Sequence, residues 1–493
     1  MSFKMAIIGA GSLVFARTLF TDILSVPEFR DIEIAFTDIN ADNLEKVTTL
    51  CQRDLEANGI KTKIQSTLDR REAFKDARYI INCVRIGCLP GFEMDVEIPL
   101  KYGVDQCVGD TLCIGGIMYG QRVIAEMLAF CKDIREVAEP GAIMLNYSNP
   151  NAMATWACNK YGGVKTIGLC HGEIHGEQQI AEVLGFKDRT ELDFICAGIN
   201  HQTWYISVKH QGKEMLDQLL EAFENHPRYK EEEKVRIDML RRFGYYSTES
   251  NGHLSEYVAW YRKRPNEIEK WIELSSWING ETGGYLRETR ETRDWFETDY
   301  PKLLKEPPMK YDGSQRGLEH CSYIMESLET GRRYRGHFNV MNEGCISNLP
   351  YECVVEVPCI VDGSGIAVPK VGDLPLGCAA VCSQSIWVQR LAVEAAVKGD
   401  VMLLKQAAMM DPLTGAVCNT LEISQMVDEM LIAEAEWLPQ YTEAIEEAKK
   451  YFASDKVLPT NEGYRGAVRQ RVLTPEEVAK RRAEHDLTAK KGN

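Results

Sequence analysis

The chain has 493 residues, of which 44% are hydrophobic and 26% charged, and a formal net charge of −16. That length is too great for one hydrophobic core and predicts about two to three domains of ordinary globular balance. So acidic a surface repels nucleic acid and anionic membranes, and no apolar run approaches the roughly 20 residues of a membrane span.

The first residues, Lys4-Met5-Ala6-Ile7-Ile8-Gly9, are apolar but stop too early for a signal peptide, so a cytoplasmic protein is expected. The 16 cysteines form no CxxC pair. In that compartment they read as small buried hydrophobes rather than a disulfide framework or zinc knuckle. Continuously apolar β-rich runs at Lys4–Ile8, 32–37, 79–84, 142–146 and 166–169 alternate with helical stretches at 13–26, Ala41–Ala57 and 116–137. Strands of that kind with helices between them predict an α/β domain, a Rossmann-type doubly wound parallel sheet over residues 1–195. Beyond it, 210–330 reads as largely helical, 335–361 as β-rich, and 383–451 as helical with a break at Met409-Met410-Asp411-Pro412. Residues 196–455 are therefore an expected α+β second domain. Residues 456–493, with Arg481-Arg482 and Lys490-Lys491, read as a solvated and partly frayed extension. There is no internal repeat.

Gly9-Ala10-Gly11-Ser12 follows the first strand directly. The first glycine permits a tight turn, and the second lets backbone approach a pyrophosphate at a helix N-terminus. Val14 stands where a third fingerprint glycine would fall. Asp38, at the end of the second strand, is placed to take the ribose hydroxyls of NAD and to repel a 2′-phosphate. Gly9, Gly11, Ser12 and Asp38 are thus the candidate NAD-binding residues; a tight turn that binds nothing is the plain alternative.

Further clusters are expected where connections leave the carboxyl ends of strands, the ligand side of such a sheet. They are Gly109-Asp110-Thr111 with Gly115-Gly116, Asn146-Tyr147-Ser148-Asn149-Pro150, Cys170-His171-Gly172-Glu173 and Gly198-Ile199-Asn200-His201. Cys170 and His201 end two neighbouring apolar runs, so a thiolate and an imidazole could converge on one divalent metal, with substrate oxygens and water completing the shell. Both could equally be packing residues.

In this order the motifs resemble the family 4 glycoside hydrolases, which depend on NAD and a metal. The likeness also takes in Asp38-Ile39-Asn40, 342–350, 354–362, Val371-Gly372-Asp373-Leu374-Pro375 and 409–412, and spans about residues 4–445. The Asn-His after Ala197-Gly198, and Asn348-Leu349-Pro350, are similar to the α-galactosidase branch. Cys-His-Gly instead resembles α-glucosidase and α-glucuronidase members. The resemblance implies a fold like lactate and malate dehydrogenases, and a hydrolysis through C3 oxidation by NAD, C1–C2 elimination, water addition and re-reduction. Mn²⁺ would hold the C2 and C3 oxygens. It also implies a homodimer or homotetramer acting on a small α-glycoside.

The same resemblance assigns Cys170 and His201 to the metal and Asn149 to the substrate. His171 stands where 6-phosphosugar members carry Asp or Asn, and is a general acid or a residue that fixes the loop. Asp110 is the first candidate for the base that takes the C2 proton, and Tyr257, in Glu249-Ser250-Asn251-Gly252-His253-Leu254-Ser255-Glu256-Tyr257, is the second. Arg85, after the third expected strand, would bridge to substrate oxygens, or to a carboxylate or phosphate. Other readings are a 6-phospho-glycosidase of the same family, a simple NAD-dependent hydroxyacid dehydrogenase and a non-catalytic NAD sensor. Against the dehydrogenase, its Asp-x-x-Arg and His-Gly constellation is not found.

Overall fold

The computed structural model describes residues 3–274, 277–293, 295–314 and 316–489, so Lys490-Lys491 lies outside the described residues. Among the described residues twelve strands make one sheet: β1 Lys4–Ile8, β2 Glu33–Thr37, β3 Ile64–Thr67, β4 Ala77–Asn82, β5 Ile143–Asn146, β6 Lys165–Gly168, β7 Asp193–Ile199, β8 Gln202–His210, β9 Lys213–Glu214, β10 Tyr334–Met341, β11 Val354–Asp362 and β12 Gly365–Ala367. Their order is β3-β2-β1-β4-β5-β6-β10-β11-β7-β8-β9, with β12 on β11. The first six strands are all parallel, in the 3-2-1-4-5-6 order of a dinucleotide-binding sheet.

Seven helices belong to this half: α1 Phe15–Leu24, α2 Ala41–Ala57, α3 Arg70–Phe74, α4 Cys88–Lys101, α5 Cys113–Val137, α6 Asn151–Ala157 and α7 Gly172–Val183. Alternate strand residues feed two cores. Ile7, Phe36, Ile81 and Leu145 pack with the apolar stripes of α1 and α2, Leu19, Phe20 and Leu50 among them. Ala6, Ala35, Ile80 and Met144 face the other way, onto Phe74 of α3 and Val123, Met127 and Phe130 of α5. A strand buried on both faces must be apolar throughout, which is why these runs stand out in the sequence.

β3 and α4 are among the elements not anticipated. β3 is a short edge strand, Ile-Gln-Ser-Thr, with its middle exposed and no apolar pattern to reveal it. The α4 sequence contains Pro90, Gly91 and Pro99, and no helix is expected there from the sequence. Pro90 falls in the first turn, where no N–H is needed, and burial of Phe92, Val96, Ile98 and Leu100 carries the helix past Pro99.

The second half is antiparallel, built on the β7–β8 hairpin and the eight-pair β10–β11 ladder. The boundary expected at 195/196 falls inside β7, and strands of both halves share the sheet. The helices Leu376–Lys398, Val401–Met410, Pro412–Val417, Thr420–Ala433 and Thr442–Phe452 follow, with the break at Asp411, whose side chain caps the next helix by accepting the Thr414 N–H at 2.8 Å.

The C-terminal extension differs from the frayed tail expected of it. The Ala467 N–H donates to Asp105 at 3.1 Å, Val468 O accepts the Thr282 N–H at 3.1 Å, and Arg469 pairs with Glu97 at 2.6 Å. Arg481 and Arg482 each lie 2.8 Å from a carboxylate, Glu291 and Asp299. Acidic groups on the body neutralise the basic tail and hold it down as a strap. All 16 cysteines are free thiols, and all but Cys83, Cys88 and Cys170 are buried. Among the described residues no helix is long and apolar enough to cross a membrane.

Candidate active site

The turn after β1 has the form a pyrophosphate needs. Gly9 sits at φ +85°, and a β-carbon there would stand 2.8 Å from the Cys83 carbonyl carbon, so only glycine fits. The Gly11 N–H donates to Asp38 Oδ2 at 2.8 Å, and Asp38 Oδ1 accepts the Asn40 N–H at 2.9 Å. Beside it Ile39 is 93% exposed, an isolated apolar side chain next to a fixed carboxylate. Ser12 closes the turn by donating its N–H to Gly9 O, and α1 begins at Phe15, with Val14 where the third glycine would be.

Cys170 follows β6, while His201 occupies the β7–β8 turn at φ +62°. Contrary to the expectation of neighbouring strands, β10 and β11 stand between β6 and β7. The two residues still meet. Gly168, Asn339, Glu356 and Gly198 lie in one transverse row, so β6 and β7 end at the same level. A third group joins them: Glu249, at φ +68°. Its Oε1 is 3.4 Å from Cys170 Sγ and 3.6 Å from His201 Nε2, and one ligand atom of each residue lies within 4.8 Å of the others. Burial alone would raise the Glu249 carboxyl, but the imidazoles of His201 and His253 overcome it and hold the group near 2. Burial pushes the Cys170 thiol well up, and Glu249 adds to the effect. A thiol, an imidazole and a carboxylate so close form a donor set for a divalent cation.

The seven-residue helix Asn251–Tyr257 organises both sides of this site. Ser250 caps it, and its hydroxyl meets His253 Nδ1 at 2.7 Å. Glu256 accepts the N–H groups of Cys107, Val108 and Gly109 at 2.6, 3.0 and 3.0 Å. The Tyr257 hydroxyl, in a fully buried side chain, lies 3.3 Å from His201 Nδ1. The loop gripped by Glu256 carries Asp110. It does not leave a strand, as the sequence suggested, but joins α4 to α5, and Gly115-Gly116 fall inside α5. Asp110 Oδ1 accepts from the Thr111 hydroxyl at 2.9 Å and the Asn149 amide at 3.4 Å. Arg85 stands 3.4 Å from Asp110 Oδ2, its guanidinium 4.1 Å above the Phe92 ring and 5.4 Å from Tyr119 and from Tyr285.

These side chains open on a cleft of about 380 Å³, whose lining includes Asp110, Asn149, Cys170, His171, His201 and Trp277. Among the described residues no lysine or arginine lines it, whereas Glu233 and Glu249 do. Phe15, the first residue of α1, also lines it and links it to the dinucleotide turn. At its mouth His171 is half exposed, and its Nδ1 is 3.2 Å from Glu319, which raises the imidazole to about 9.

Cys170, His171, His201, Asp110 and Asn149 are thus brought to one cleft. Arg85 stands behind Asp110, Tyr257 lies beneath His201, and Gly9, Gly11, Ser12 and Asp38 form the turn at the end of β1. Sequence reasoning missed Glu249, His253, Glu256, Glu319 and Trp277. The first three lie in the segment searched only for a tyrosine, where the density of ionisable residues was itself a signal.

Residues 4–186 match the model of the family 4 glycosyl hydrolases, and 196–414 match that of the family 4 glycosyl hydrolase C-terminal domain. The chain is 57% identical over 478 residues to an alpha-galactosidase of Rhizobium meliloti (strain 1021), covering 97% of each protein. It is 33% identical to an alpha-galactosidase of Bacillus subtilis (strain 168), covering 89% of this chain and 99% of that one. Its fold is shared by the 6-phospho-beta glucosidase of Thermotoga maritima, solved with manganese, NAD⁺ and glucose-6-phosphate (TM-score 0.71, 22% identity, 88% of this chain and 99% of that one). With both family regions matched in order and likeness to one relative over nearly its whole length, the chain belongs to the family 4 glycosyl hydrolases.

Proposed function

We propose that this chain hydrolyses α-galactosides, with NAD and a divalent metal such as Mn²⁺ as its cofactors. The observation that carries the reading is the convergence of Cys170 and His201, with Glu249 beside them, on a cleft that Phe15 joins to the dinucleotide turn. The residues fit both groups: soft and hard donors for the metal, and a close-packed glycine turn with a fixed carboxylate and an exposed Ile39 for the dinucleotide. When bound, NAD supplies a reversible hydride acceptor at the sugar C3, and the metal polarises the C2 and C3 oxygens.

The residues then divide the remaining work. Cys170 and His201 hold the metal, and the Tyr257 hydroxyl fixes the His201 ring through Nδ1. Asp110, which lines the cleft, takes the C2 proton, with Thr111 and Asn149 orienting its Oδ1. Tyr257, the other candidate base, is buried behind His201, and so we assign the proton to Asp110. His171 stands at the mouth and gives a proton to the departing glycosidic oxygen, with Glu319 fixing its ring. Water adds at C1, C2 regains a proton, C3 regains its hydride and its hydroxyl proton, and the net change is hydrolysis.

Charge supports a neutral sugar. A phosphate or carboxylate is usually held by lysine or arginine, yet the described lining has neither, Arg85 is committed to Asp110, and the cationic His171 is paired with Glu319. The two alpha-galactosidase relatives support galactose in particular. The test is a panel of p-nitrophenyl α-galactoside, α-glucoside, α-glucuronide and a 6-phospho-glycoside, with NAD, Mn²⁺ and thiol present. We expect the α-galactoside to be cleaved with the highest kcat/KM; cleavage confined to the phosphorylated or carboxylated sugars would overturn the assignment. We further propose a cytoplasmic homodimer or homotetramer. Exposed Leu376, Trp387, Met402 and Leu421 on the C-terminal helices support self-association, which light scattering would measure.

A further inference from the structure

We propose that Glu249 is a third protein ligand of the metal, admitted to the site by the bare α-carbon of Gly172. The inference rests on the reading that Cys170 and His201 hold that metal.

Two ligands on one cation, each about 2.0–2.3 Å from it, stand about 3–4 Å apart. Glu249 Oε1 already has those spacings, 3.4 Å to Cys170 Sγ and 3.6 Å to His201 Nε2, and the three ligand atoms all lie within 4.8 Å of one another, so the groups need close only slightly on one ion. The other oxygen, Oε2, is turned to His253 Nε2 at 3.9 Å, which leaves Oε1 for the metal.

Two backbone features keep the carboxylate there. Glu249 sits in the left-handed region at φ +68°, a conformation a residue with a β-carbon adopts only where its surroundings demand it. Gly172 opens α7 two residues after Cys170, and a β-carbon on it would lie 1.6 Å from Glu249 Oε1. No side chain at position 172 is compatible with this carboxylate position. The Cys-His-Gly sequence and the glutamate before Ser250 are therefore one device, in which the first makes room for the second.

The experiment titrates Mn²⁺ into the NAD-loaded enzyme and follows the EPR signal of unbound Mn²⁺. Glu249→Gln and Gly172→Ala should each weaken binding at least about tenfold, the lower bound for losing even an outer partner of a metal ligand. The double variant should bind no more weakly than the worse single one, because both remove the same contact. Glu249→Asp keeps the charge but withdraws the oxygen, and should lose affinity similarly; parental affinity there would reduce Glu249 to an electrostatic neighbour and overturn the proposal. Glu249→Gln binding within twofold of the parent, while Cys170→Ser loses the metal, would overturn it too and leave the Cys170–His201 assignment standing. Parental binding by Cys170→Ser as well would remove the metal reading and this inference together. Unchanged melting of the metal-free variants separates lost ligation from lost folding.

Discussion

Glu256 is fully buried, touches no cleft, and accepts three consecutive backbone N–H groups from the loop that carries Asp110. In Glu256→Gln the remaining oxygen can still take the Cys107 and Val108 N–H groups, but the new amide faces the Gly109 N–H. One buried donor is then orphaned, at about 1–3 kcal/mol. Glu256→Ala orphans all three, for about 3–9 kcal/mol, comparable with the whole stability of a domain. The glutamine variant should stay folded, so its catalytic loss can be read. A base moved by about 1 Å costs on the order of 100-fold in rate, so kcat should fall about 10–100-fold while KM holds. Urea unfolding and steady-state hydrolysis of p-nitrophenyl α-galactoside measure the two quantities. A folded Glu256→Gln enzyme with kcat within twofold of the parent would refute the argument that this carboxylate positions the base.

Three further outcomes follow from the geometry. Asp38→Ala should weaken NAD binding by about tenfold or more and relax the preference for NAD over NADP, read by fluorescence titration of the two cofactors; an unchanged ratio would remove Asp38 from ribose recognition. Tyr257→Phe should lower Mn²⁺ affinity about 10–100-fold through the loss of its contact to His201 Nδ1, whereas a tyrosine acting as base would lose kcat with affinity intact. Acid should unfold the protein through its buried histidines: burial holds His337 near 3 and His320 near 4, against 6.5 unfolded. Because the folded values are the lower ones, the unfolded chain takes up protons first, and the stability present above about pH 6.5 is lost as pH falls through 6.5 toward 4. His337 Nε2 accepts the Cys196 N–H at 3.3 Å, so His337→Gln, which keeps an acceptor, should show a shallower acid limb in melting temperature; a limb parallel to the parent's would contradict it.

The parallel half of the fold was legible because its strands are buried on both faces, and burial writes itself as apolar runs: the bounds of β1 and α2 agree with the sequence reading to the residue. β3 and α4 were hidden because an exposed edge strand has no such run and two prolines masked a helix held by tertiary packing. The C-terminal strap was hidden for another reason. Arg469, Arg481 and Arg482 look solvated until their carboxylates arrive from residues 97–299, a pairing no local pattern records. At the site, Cys170, His201 and Asp110 could be found from their motifs. Glu249, Glu319 and Trp277 come from turns and short helices of the second half, where position depends on long-range packing.

The central claim is that the glycosidic bond breaks by way of a lost C2 proton. It is tested most directly by running the hydrolysis of an α-galactoside in D₂O with NAD, Mn²⁺ and thiol, and reading the released galactose by NMR. The account predicts deuterium at C2. Galactose released with C2 still fully protonated would contradict it, whatever the rate of hydrolysis.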